Sequence, residues 1–123
     1  MSTIRNRLED ILMNLHDAGN IEATVIASRD GLVIAYHLSY RFKPETFAAL
    51  GATMSGAARR AIINLKKPIP DRIITESKDG DIIVMDVNQR VLLVVMTNDG
   101  ANLGMVLIGI EDAVLKIKEL MES

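Results

Sequence analysis

The chain contains no cysteine and no tryptophan, and its aromatic side chains are limited to two Tyr and two Phe. Without cysteine there is no disulfide framework, no thiolate nucleophile and no thiolate zinc ligand, which suits a reducing compartment. So few rings leave little on which single-stranded bases could stack. Neither sign of charge prevails: 14 basic residues face 16 acidic ones, a net charge of −2, so no global field gathers nucleic acid or an anionic membrane. Long apolar runs are missing as well. "VLLVVM", Val91 to Met96, falls far short of the ~20 residues that cross a bilayer. The opening "MSTIRNRLEDILMNL" interrupts any secretory pattern with Arg5, Arg7, Glu9 and Asp10, and neither end carries a lipidation motif. A cytoplasmic protein that meets neither nucleic acid nor membrane is expected.

What is present fits one domain over residues 1–123, long enough to bury a core without metal or disulfide. Ile4, Leu8, Ile11, Leu12 and Leu15 recur at spacings of three and four, which predicts a helix from about Ser2 to Ala18, with Gly19 as its stop. The period then changes. "IEATVIAS" and "LVIAYH" flank "RDG", a hairpin whose Gly31 can take the positive φ of a tight turn. Pro44 suits the first turn of a second helix running to about Leu65, where "KKPIP" ends it. Three further strands follow as "RIITES", "DIIVMDV" and "RVLLVVMT". The last is apolar on both faces, hence central, whereas the first is polar enough for an edge. Asn102 caps a final helix striped by Leu103, Val106, Leu107, Ile110, Val114, Ile117 and Leu120. The expected order is α-β-β-α-β-β-β-α, an α+β domain with helices on both faces of its sheet.

The second helix is unusual. "ALGATMSGAARRAI", Ala49 to Ile62, places two glycines inside a helix, each at a cost of about 1 kcal/mol against alanine. Spacing assigns Phe47, Leu50, Met54, Ala58, Ala61 and Leu65 to the sheet. The reverse then carries Ala49, Ala52, Ser55, Gly56, Arg59 and Ile63, where a solvated helix would carry Lys, Glu and Gln. Small residues let another helix approach closely. A symmetric contact that also pairs the edge strand Arg72, Ile73, Ile74, Thr75, Glu76 and Ser77 with its own copy would bury both features at once. The other reading is a helix wedged tightly against its own sheet.

Catalytic patterns are incomplete. Gly51 and Gly56 match the start of a phosphate-binding loop, but Ala57 and Ala58 stand where lysine and a hydroxyl are needed. His16 and His37 are far apart in sequence and read as surface residues. Asp79 and Asp81 begin a calcium-loop pattern that is not continued, and Ser28, Ser39, Ser55 and Ser77 lack a histidine and acid constellation. No cofactor, no metal and no autonomous enzyme are expected. Arg59 and Arg60 form the one charged pair that could act in trans on a phosphoryl group.

"SRDGLVIA" (Ser28 to Ala35), "FAALGATMSGAA" (Phe47 to Ala58) and "NLGMVLIGIEDAVLKI" (Asn102 to Ile117), taken in register over the whole chain, resemble the Roadblock family of dynein light chains and its prokaryotic relatives. The resemblance implies a profilin- or longin-like sandwich whose five-stranded antiparallel sheet runs 2-1-5-4-3. It also implies a homodimer, or a heterodimer with a similar chain, built from strand three and the middle helix. The interface would draw on Ala52, Ser55, Arg59, Ile63 and Arg72 to Glu76. Bacterial relatives bind a small Ras-like GTPase, which implies a docking surface of Ala49, Thr53, Gly56, Arg60 and Asn64. Relatives often carry acidic residues before the middle helix and after "GAA", where this chain has "SYRFKP" and "RR". A non-enzymatic dimeric regulator or scaffold for such a GTPase is the leading expectation. A structural light-chain adaptor without GTPase contact and a small-molecule sensor, with a ligand held between sheet and helix, are the alternatives.

Overall fold

A computed structural model describes residues 3–17 and 19–122. Its elements are α1 (Ile4–His16), β1 (Ile21–Ser28), β2 (Val33–Leu38), α2 (Pro44–Asn64), β3 (Arg72–Ser77), β4 (Gly80–Asp86), β5 (Val91–Thr97) and α3 (Leu103–Glu122). The strands form one sheet in the order β2-β1-β5-β4-β3, with every neighbouring pair antiparallel. Expected order and topology are both observed. The outer bounds expected for the first helix, Ser2 and Ala18, lie outside the described residues.

Local chemistry accounts for the boundaries. The Thr3 hydroxyl accepts the backbone N–H of Asn6 at 3.1 Å, capping α1. Asn102 Oδ1 accepts from the Met105 N–H at 3.1 Å and caps α3 in the same way. Between β1 and β2 the turn closes through Ser28 N–H to the Leu32 carbonyl at 2.8 Å, with Gly31 at φ +89°, a value that favours glycine. A Cβ at Gly80 would collide with the Thr97 carbonyl of β5, so the β3–β4 turn also requires glycine.

The sheet separates two apolar layers. On one face, Leu8, Leu12 and Leu15 of α1 and Val106, Ile110, Ala113 and Ile117 of α3 pack on Ile26, Ile83, Met85, Leu93 and Val95. On the other, α2 alone covers Ala23, Val25, Ala27, Val84, Leu92 and Val94 with Phe47 and Ala48. β5 is buried on both faces, as its unbroken apolar run requires. At roughly 2 kcal/mol for each fully buried large aliphatic side chain, the α1/α3 layer carries most of the hydrophobic stabilisation. The α2 layer, built from smaller residues, holds its helix close.

Candidate functional site

Four residues of α2 are buried: Phe47, Ala48, Gly51 and Ser55. Position 51 lies directly over β5, where a Cβ would run into Val94 Cγ2. The helix approaches the sheet so closely that only glycine fits, and the reading in which the helix is wedged on its own sheet holds for Gly51. Gly56 is different, since a Cβ built there meets nothing within 4 Å.

The face expected against the sheet is therefore corrected. Leu50 is 42% exposed and Leu65 67% exposed, and Ala61 is exposed as well. Phe47 and Met54 pack on the sheet as expected, but between them close approach selects Ala48, Gly51 and Ser55 and leaves Leu50 outside. Ser55, expected on the outward flank, is 1% exposed. Its hydroxyl accepts a hydrogen bond from Arg29 Nη1 at 3.0 Å, which withdraws it from any contact with another chain.

Arg29 is the side chain that sequence reasoning missed. Its Nε donates to the Gln89 carbonyl at 2.8 Å and its Nη2 to the Asn88 carbonyl at 2.9 Å. Nη2 also lies 3.2 Å from Asp86 Oδ1, while Arg59 Nη1 reaches the other oxygen of that carboxylate at 3.6 Å. One guanidinium thus joins the β1–β2 turn, the β4–β5 turn and the middle of α2. The hairpin is pressed on the helix too: a Cβ at Gly31 would lie 3.6 Å from Ala52 Cβ, so Ala52 is half-buried within its own chain.

With α2 held in this orientation, Ala49, Thr53, Gly56, Arg60 and Asn64 all lie exposed, spaced by three and four along one stripe. Ile63 beside them is 54% exposed. At the sheet margin β3 pairs only with β4, leaving its other edge unpaired. Thr75 and Glu76 are exposed there, and Ile73 and Ile74 half-buried. Arg72 turns to the opposite face, donating from Nη1 to Glu111 Oε1 of α3 at 3.1 Å. The space between sheet and α2, where a sensor would hold its ligand, is filled by Phe47 and Ala48 against the strands.

The two histidines, expected apart on the surface, meet. Their rings stack edge to face with centroids 4.5 Å apart. The Thr24 hydroxyl donates to the His37 carbonyl at 3.1 Å, so its oxygen accepts from His16 Nε2, also at 3.1 Å. Burial and the neighbouring His37 imidazole hold the His16 pKa down to about 4, against a smaller opposing pull from the His37 backbone and Asp17. Because the folded value lies below the unfolded value near 6.5, this contribution is complete above about pH 6.5 and is lost as pH falls towards 4. Allowing for the half-exposed ring, the loss is on the order of 1 kcal/mol. The fall in melting temperature between pH 7 and pH 4 should be steeper for the unaltered protein than for His16→Gln; parallel profiles would contradict the assignment.

The model of the Roadblock/LC7 domain matches residues 7–97. An uncharacterized protein of Methanocaldococcus jannaschii, MJ1340, is 27% identical over 113 residues, covering 92% of this chain and 98% of its own length. The fold superposes on MglB of Myxococcus xanthus with a TM-score of 0.87 at 18% identity, covering 94% and 95% of the two chains. It superposes on an MglB solved in a tetrameric arrangement with a TM-score of 0.88 at 17% identity, covering 99% and 93%.

Proposed function

The chain belongs to the Roadblock/LC7 domain family, and from that premise we propose that it is a non-enzymatic, cytoplasmic, dimeric regulator or scaffold that docks a small Ras-like GTPase on the outward stripe of α2. One observation carries the proposal. A helix fastened along one side by Gly51, Ser55 and Arg29 presents Ala49, Thr53, Gly56, Arg60 and Asn64 together on the other. The flank of α2 at Ile63, beside this stripe, and the unpaired edge of β3 supply the two surfaces that a two-fold contact would cover. Ile63 of α2 and Ile73, Ile74, Thr75 and Glu76 of β3 are the residues proposed to meet a second copy or a similar chain. Ala52 and Arg59 flank that contact from half-buried positions. Ser55 is excluded from it by its burial.

Any effect on hydrolysis would come chiefly from repositioning groups of the GTPase itself. Arg59 is engaged by Asp86, which leaves Arg60 as the arginine available in trans. Single-turnover GTP hydrolysis by a small Ras-like GTPase of the same genome, with and without this protein, tests the reading. A complex on a sizing column with an altered rate supports it. A complex with an unaltered rate makes the protein a scaffold for the GTPase, and the absence of both removes the reading in favour of an adaptor without GTPase contact. Gly56→Leu separates association from folding, because the new side chain enters open space in the single chain but stands in the path of a partner. Unfolding free energy of the monomer should rise by up to about 1 kcal/mol, since leucine favours the helix over glycine, while the complex with the GTPase is lost; an unchanged complex would contradict the placement.

A further inference from the structure

Charge is unevenly distributed along this chain. Residues 41–70, which comprise α2 and its flanks, hold six basic residues and one acidic residue, Glu45, while the remainder holds eight basic and fifteen acidic. Arg59 is already paired with Asp86. Among the described residues no ion pair engages Arg41, Lys43, Arg60, Lys66 or Lys67, and all five are exposed. Cations therefore stand at both ends of the outward face of α2, without internal carboxylates to neutralise them.

Apolar groups accompany those cations. At the C-terminal end of α2, Leu65 is 67% exposed and Ile69 43% exposed. At the N-terminal end Tyr40 is 97% exposed, the kind of amphipathic ring that anchors interfaces. Lys66 occupies the left-handed region at φ 58°, a position at a helix end where glycine or asparagine would be less strained.

We propose that the partner received on this face is acidic: its contact surface carries carboxylates that meet Arg60, Lys66 and Lys67 around an apolar centre. This rests on the docking reading above and specifies the chemistry of the docked protein. Charge complementarity of that kind speeds encounter and fixes register, and salt weakens it. The small centre of the stripe admits close approach while the rim selects by sign.

The test uses the small Ras-like GTPase of the same genome, loaded with a non-hydrolysable GTP analogue, and the full chain. Binding is measured by calorimetry at 50 and 300 mM KCl. The unaltered protein should bind roughly tenfold more weakly at the higher salt. The combined variant Arg60→Glu, Lys66→Glu, Lys67→Glu should lose at least about tenfold in affinity at low salt. A control that reverses Lys78 and Lys118, exposed basic residues outside 41–70, should bind as the unaltered protein does. A complex that ignores both salt and the triple reversal overturns this inference and leaves the docking reading intact. No complex with the unaltered protein removes both. Sedimentation with vesicles of phosphatidylglycerol and phosphatidylcholine that is lost in the triple variant, while the GTPase complex persists, assigns the cations to lipid and overturns the proposal.

Discussion

Gly51→Leu is expected to destabilise the folded chain by about 3 kcal/mol, the upper range for forcing methylenes into a packed site. The inserted side chain has nowhere to go. Position 51 is buried in the middle of α2, a Cβ there already strikes Val94, and Val94 is itself 0% exposed and β-branched, so it cannot turn aside. Either α2 lifts from β5, exposing Val25, Leu92 and Val94, or the strand is displaced. Gly51→Ala distinguishes crowding from helix propensity. Alanine alone gains about 1 kcal/mol in a helix, so a net loss at that position measures the collision by itself. Urea unfolding of the two variants beside the unaltered protein provides the values, and stability equal to or above that of the parent would show that the glycine serves something other than close packing.

Arg29→Met carries the second largest expected effect, about 2–4 kcal/mol, through a different mechanism. The methionine retains an apolar stem but leaves the Ser55 hydroxyl and the Asn88 and Gln89 carbonyls without their shared donor. Asp86 keeps only Arg59, at 3.6 Å. Because Arg29 and Asp86 are about one-fifth exposed at the side chain, water replaces little of what is lost. For a chain of this length the melting temperature should fall by roughly 10 °C. The distinctive consequence is positional. With the β1–β2 and β4–β5 turns released from α2, amide exchange should accelerate at residues 29–32 and 52–59 before the β1–β5 core responds. A loss below about 1 kcal/mol, with exchange unchanged there, would show that Arg29 is a solvated turn residue.

Most of the architecture was legible in the residues because each element bears its own signal. A continuous apolar run marks β5 and β-branched residues mark β1, Asn102 caps the last helix, and Gly31 permits the hairpin. Leu8, Leu12 and Leu15 sit inward as their spacing requires, although Ile4 of the same stripe is 58% exposed. The inward face of α2 was misread for a definite reason. Periodicity ranks residues by hydrophobicity and so places Leu50 and Leu65 inside, whereas the short distance to Val94 admits only the smallest. Arg29 could not be recognised at all. Its acceptors lie 26, 59 and 60 residues away, and within "SRDG" it resembles any arginine in a turn. The meeting of His16 and His37 is hidden likewise, since it depends on how the end of α1 lies across β2. The outward flank was readable only in part: of the residues that spacing assigned to it, Ala49, Gly56 and Ile63 are exposed, whereas Ser55 is buried and Ala52 and Arg59 are half-buried.

The proposed two-fold contact through α2 and β3 is tested most directly by oligomeric mass. Light scattering of the unaltered protein at micromolar concentration should report a particle of about twice 13.5 kDa. A stable species of 13.5 kDa under those conditions would contradict the assignment of α2 and β3 to a shared interface.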